Sequence, residues 1–282
     1  MITLMGQPSP RFSNGQLINQ LERFVISLPL AYASFLSLQL ANAHQEEINY
    51  SKSTYIVLAM SSPASVCSLA RVATNLVPGR NFNLVISRGS VVDFSHNTQS
   101  SAIVNAANEG CLYGGGVDGA IGDAGGSTLL EDRMNLPQLQ PGVRCQTGCA
   151  VLTGPNSYGS LNVPYVIHAV GPNYCQYDTE EEMAEGDKLL SSAYTASLEC
   201  GKSQKIEAIA FALLSAGIFR GEHSIDEVLQ VGIEAICDFD GYPELQEVHL
   251  CAFNQREADT LVKVAARVRF ERELAVMKQS KK

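Results

Sequence analysis

The chain has 282 residues, 45% of them hydrophobic and 17% charged, with a formal net charge of -9. That apolar content builds a sizeable core and excludes global disorder, and the length allows one large or two ordinary domains. The acidic balance excludes the basic footprint that attracts nucleic acid or an anionic membrane over a distance, but it leaves room for a local anion site made of backbone amides.

Residues 1 to about 14 read as a loose tail holding Pro8 and Pro10. Residues 14–45 read as helical, bent at Pro29. Within them, residues 24–41 run for 18 positions without a charge, the lower limit for a membrane span. Pro29, three serines and Gln39 favour a buried helix of a soluble domain instead. Residues 55–60 read as a short strand. Ser62 and Pro63 form an N-cap with proline at the first helical position, opening a helix to about Leu76 that Pro78 and Gly79 close. Residues 1–80 are thus expected to be a mainly helical extension or cap without a catalytic signature. No secretory signal is visible at the start, so a cytoplasmic, membrane-free protein is expected.

From residue 82 the pattern alternates. Strands are expected at 82–87, 102–107, 164–169, 206–212 and 246–252, and helices at 117–132, 185–200, 224–237 and 255–275. Such alternation implies a largely parallel sheet covered on both faces, with ligands bound outside the carboxyl ends of its strands. The acidic run 179–185 suits an exposed helix start, where the dipole favours negative charge. Eight cysteines are scattered without a C-x-x-C pair, so buried reduced thiols are expected and no metal site.

The most informative stretch is Ala102-Ile103-Val104-Asn105-Ala106-Ala107-Asn108 with the Gly114-Gly115-Gly116-Val117-Asp118-Gly119 that follows. A buried strand ends in two asparagines, whose amides suit sugar hydroxyls. Glycines let the backbone approach a ligand, and amides at the following helix start favour an anion. Phosphate beside sugar hydroxyls points to a nucleotide-like ligand. Gly114-x-Gly116-x-x-Gly119 formally matches a dinucleotide fingerprint, but it lies too far from the strand end and holds an acid. No Gly-Lys-Ser/Thr follows, which rules out a Walker A loop.

The whole string resembles the macro domain family, whose motif is Asn-Ala-Ala-Asn, a glycine-rich loop, then Val-Asp-Gly. The resemblance extends through Cys145-x-Thr147-Gly148-x-Ala150, the run from Tyr165 to Pro172, Leu214-Ser215-Ala216-Gly217-Ile218-Phe219 and the strand from Val248 to Asn254, covering about residues 82–270. It implies an α/β fold, a three-layer α/β/α sandwich with a mixed, mostly parallel sheet over residues 81–275, preceded by the extension. It also implies ADP-ribose as ligand, with no cofactor, and ADP-ribosylated protein as partner. The Val-Asp pair resembles the hydrolytic MacroD-type branch.

On that resemblance Asp118 is the catalytic acid, stabilising positive charge at the anomeric carbon and orienting water. Asn108 holds hydroxyls of the distal ribose, and Asn105 lies in the ligand site as a residue shaping the strand end. Gly115, Gly116 and Val117 present amides to one phosphate, and Ser215, Ala216, Gly217 and Ile218 to the other. Phe219 lies against the distal ribose, and Phe253 with Asn254 near the adenine. Serine follows Gly89 where the family has its adenine-recognising acid, so Asp93 is the expected substitute. Tyr113 stands where the family often has glycine, and Gly122 where it often has histidine. Asp123 falls on roughly the opposite helical side from Asp118. His168 is expected to be a core histidine. Two functions remain open: a hydrolase that releases ADP-ribose from an acceptor or deacetylates O-acetyl-ADP-ribose, and a non-catalytic reader of ADP-ribosylated partners.

Overall fold

A computed structural model describes residues 69–74, 80–97 and 100–279. Seven strands form one sheet: β1 (Ala70–Ala73), β2 (Asn83–Arg88), β3 (Ser101–Ala106), β4 (Ala150–Thr153), β5 (Tyr165–Ala169), β6 (Ala208–Phe211) and β7 (Glu247–Ala252). Their order is β1-β2-β7-β6-β3-β5-β4. The five inner strands are parallel, and the two outer ones are antiparallel.

Strand side chains alternate between faces, and the sequence exploits that period. Ala102 and Val104 of β3, with Ile209 and Phe211 of β6, enter one buried cluster, while Ile103, Ala208 and Ala210 enter the other. The first cluster is completed by helices α2 (Glu180–Ser203), α3 (Ile225–Asp238) and α4 (Gln255–Gln279) through Leu190, Tyr194, Ile233 and Leu261. The second is completed by Ile121 and Leu129 of helix α1 (Val117–Asn135), with Phe94 and Tyr158. The result is the expected three-layer α/β/α sandwich. Each such aliphatic side chain, fully buried, contributes roughly 1.5–3 kcal/mol relative to exposure. Helix α2 starts in a capping box: the Glu182 amide donates to Thr179 Oγ1 and the Thr179 amide to the Glu182 carboxylate.

Three expectations need correction. The helix over 62–76 is contradicted where the chain is described, because Ala70–Ala73 pairs with β2 in the sheet. Leu69 and Ala73 are buried there and Arg71 ion-pairs with Glu247 of β7, so tertiary packing overrides the local helix signal. The sheet therefore includes residues ahead of 81. β4 was not expected at all. Finally, α1 is broken at Gly126, whose φ of 62° is left-handed. The expected tail, the helix over 14–45 with its uncharged segment, and the strand over 55–60 lie outside the described residues. Among the described residues no helix is long and apolar enough to cross a membrane.

Candidate functional site

Parallel β2, β7, β6 and β3 are neighbours, so their carboxyl ends follow one another along a single edge. Along it lie Asp93 after β2, Phe253 after β7, the turn from Ser215 to Phe219 after β6, and the glycine loop after β3. Three inter-strand steps span roughly 14 Å. That edge suits an extended ligand with a base at one end, charge in the middle and a sugar at the other.

The anion-binding parts are backbone. Gly116 is the N-cap of α1 at φ 58°, and no side chain caps its amides. Gly114, Gly115 and Gly116 are exposed, and a Cβ on Gly115 or Gly116 would meet nothing within 4 Å. Gly217 opens a 3-10 turn, Ile218–Arg220, again without a side-chain cap. Ser215 before it adopts φ 54° and turns its hydroxyl inward to donate to the Pro172 carbonyl at 2.7 Å. What Ser215 offers outward is therefore backbone. Around the two loops stand exposed apolar side chains: Tyr113 at 69%, Ile218 at 85% and Phe253 at 74%. Phe219 is half-buried, and Asp93 is exposed.

Beneath the first loop lies Asp118, only 3% exposed. Its Oδ1 accepts from Asn105 Nδ2 at 2.7 Å and from Arg133 Nη2 at 2.7 Å. Its Oδ2 is buried without a hydrogen-bond partner among the described residues. A Cβ on Gly114 would sit 2.2 Å from that oxygen, so only glycine lets the loop lie over the carboxylate. Arg133 is 1% exposed and also donates through Nε to the Cys111 carbonyl at 2.5 Å. Asn105 in turn meets His168 Nδ1 at 3.2 Å, while His168 Nε2 meets Thr153 Oγ1 at 3.1 Å. Burial, then the nearby Arg133, lower the His168 pKa from 6.5 to about 3. His168 is thus a neutral core histidine, as expected, and one that orients Asn105.

This geometry sorts the expected site residues. Asn105 is fully buried, its Nδ2 donating to Asp118 and meeting His168 Nδ1, while its Oδ1 has no hydrogen-bond partner among the described residues. Asn108 closes the loop, its Nδ2 donating to the Tyr113 carbonyl at 2.7 Å and its Oδ1 accepting from the Gly110 amide at 3.0 Å. A ribose hydroxyl would share the remaining lone pair of Oδ1. The Asn254 side chain is engaged at the start of α4. Its Oδ1 caps α4 by accepting from the Glu257 amide at 3.0 Å, and its Nδ2 donates to the Glu257 carboxylate at 2.8 Å. Gly122, where a histidine was the family expectation, faces Arg133: a Cβ there would lie 3.7 Å from Nη1. Arg133 escaped the sequence reading, because it follows Asp118 by fifteen positions. A signal was present in the Gly125-Gly126 pair, which marks a break between them.

The macro domain family's profile matches residues 104–231. A macro domain-containing protein of Caldanaerobacter subterraneus is 35% identical over 176 residues, covering 62% of this chain and 91% of its own length. The O-acetyl-ADP-ribose deacetylase 1 of Pantoea vagans is 35% identical over 167 residues, covering 58% of this chain and 90% of that protein. Among solved structures, an Oceanobacillus iheyensis macrodomain with ADP superposes with a TM-score of 0.57 at 25% identity, over 72% of this chain and 98% of that one. Sheet order, uncapped glycine loops and sequence agree, and the chain belongs to the macro domain family.

Proposed function

We propose that this protein binds ADP-ribose along the carboxyl edge of its sheet and hydrolyses the bond that joins the distal ribose to an acceptor. One observation carries the catalytic part: Asp118 lies under the glycine loop with Oδ1 clamped and Oδ2 unpartnered. The ADP held by the Oceanobacillus structure and the deacetylase activity for which the Pantoea relative is named support the ligand class and hydrolysis at its distal ribose.

In this reading the amides of Gly115, Gly116 and Val117 hold one phosphate, and those of Ser215, Ala216, Gly217 and Ile218 the other. Phe253 lies on the adenine with Asp93 at its rim, and Phe219 lies on the distal ribose. Water adds to the anomeric carbon while the bond to the acceptor oxygen breaks. The acceptor leaves with that electron pair, and the water's spare proton passes to solvent. Positive charge developing on the ring is met by the Asp118 carboxylate, whose free Oδ2 accepts a hydrogen bond from the attacking water.

A second reading, a binding module without turnover, is favoured by Gly122, which leaves no side chain opposite Arg133 Nη1. Single-turnover release from acceptors of each linkage separates the two. Wild type is expected to release ADP-ribose, and Asp118→Ala to be slowed about 100-fold or more while binding free ADP-ribose within about tenfold, roughly 1.4 kcal/mol. An equally fast Asp118→Ala sinks the mechanism. Tight binding with no release from any acceptor by wild type leaves the reader.

A further inference from the structure

We infer that Arg133 is the positioning residue of the Asp118 carboxylate, a clamp that fixes its orientation and ties that acid to the glycine loop. The inference rests on the hydrolase reading above.

A straight helix would carry Arg133 about 22 Å along the axis from Asp118, at 1.5 Å per residue. Instead Nη2 lies 2.7 Å from Oδ1, because α1 folds back at Gly126. The reversal is braced. The Ala124 carbonyl at the break accepts from the Ser160 amide at 2.8 Å, and a Cβ on Gly159 would clash with that carbonyl at 2.1 Å. The fold therefore brings the end of α1 back onto its own beginning, with a guanidinium as the contact.

That guanidinium makes two directed bonds at once. Nε donates to the carbonyl of Cys111, a residue in the loop between Asn108 and Gly114 that holds φ 52°, unusual for a non-glycine. Nη2 donates to Asp118. One planar fork thus sets the distance between the loop that covers the ligand and the acid beneath it, a task that lysine's single ammonium cannot repeat. With Asn105 on the same oxygen, the carboxylate has one orientation, and Oδ2 is the atom left for chemistry. Arg133 itself is buried, so its effect is expected in turnover rather than in affinity.

The test uses the full chain with Arg133→Met, Arg133→Lys, Asp118→Ala and the Asp118→Ala/Arg133→Met pair. Release is followed in single turnovers, ADP-ribose affinity by calorimetry, and folding by circular dichroism. Arg133→Met is expected to slow release about 10- to 100-fold through misplacement, with ADP-ribose affinity within about threefold. Arg133→Lys is expected to recover part of the loss. The double variant should be no slower than Asp118→Ala alone, since the two act as a unit. Release at the wild-type rate in Arg133→Met, or a further multiplicative loss in the double variant, overturns the inference and leaves the hydrolase reading standing. Should Arg133→Met fail to fold, Arg133→Lys decides: slowed release at unchanged affinity supports the clamp, and wild-type release overturns it. Wild type that releases nothing overturns the hydrolase reading and, with it, this role.

Discussion

Gly115 and Gly116 both face open space, yet they would respond differently to a side chain. Gly116 sits at φ 58°, so any residue there strains the backbone before its chemistry matters. Gly115 carries no left-handed φ, which makes it the cleaner probe of the phosphate cradle. Gly115→Glu is expected to leave stability within about 1 kcal/mol, as exposed substitutions do. ADP-ribose affinity should nevertheless fall more than about 100-fold, because a carboxylate would occupy the space of a phosphate. Gly115→Ala should bind within about threefold of wild type. Calorimetry on the two variants reads this directly, and a glutamate variant that binds like wild type removes the loop from the phosphate site. At this scale the sequence was informative about type but not about partners. The spacing of Asn105, the glycines and Asp118 was readable, because the motif is contiguous. The Arg133 donor to Asp118, and the His168 acceptor that orients Asn105, were not, because they arrive from positions set by the break in α1 and by β5.

The break in α1 separates two opposite expectations for one substitution. In the unbroken helix that the sequence pattern predicts over 117–132, Gly126→Ala would stabilise by about 1 kcal/mol. At the observed φ of 62° it should destabilise by about 1–2 kcal/mol, the strain of a left-handed L-residue. Because the same break returns Arg133 to Asp118, release should slow in that variant as well. Urea unfolding settles the sign, and a stabilised Gly126→Ala would mean that α1 runs straight. The other elements show where pattern reading succeeds. The inner strands β2, β3, β5, β6 and β7 are mostly apolar and largely buried, and each was legible within a residue or two. β1 and β4 have four residues each and lie at the sheet's edges, half-buried and antiparallel. Such short, half-exposed edge runs carry a weak pattern, and what makes them strands is the neighbour they pair with. α2 starts at Glu180 within the acidic run 179–185 read as a helix start, ahead of the 185–200 core of the pattern, and its capping box at Thr179 and Glu182 fixes that start.

For the molecule as a whole, a net charge of -9 means that an anionic ligand gains nothing from the long-range field. In the proposed reading attraction comes from the edge of the sheet, where two backbone turns lack side-chain caps. The strand order, with β7 and β6 between β2 and β3, joins segments distant in sequence and left no mark in the local pattern. The same compactness sets the response to acid. Burial, then Arg133, hold His168 at about 3 against an ordinary 6.5. Burial likewise lowers His249, against the opposing pull of Glu247. Glu247 is lowered too: burial raises it, but bonds from His249, His96 and Arg71 prevail. All three signs agree. Between pH 6.5 and about 3 the unfolded chain takes up a proton at position 168 that the folded chain refuses, so stability from that site is full above pH 6.5 and drains away below it. Glu247 adds its own loss once pH falls below its ordinary 4.5. The urea midpoint is therefore expected to hold steady above about pH 7 and to fall progressively between about pH 6.5 and 4. In His168→Gln, which cannot titrate, the part of that fall between about pH 6.5 and 5 should shrink. A midpoint flat across this window in wild type would mean that His168 accepts its proton within the fold, and that the chain from Thr153 through Asn105 to Asp118 is open to water.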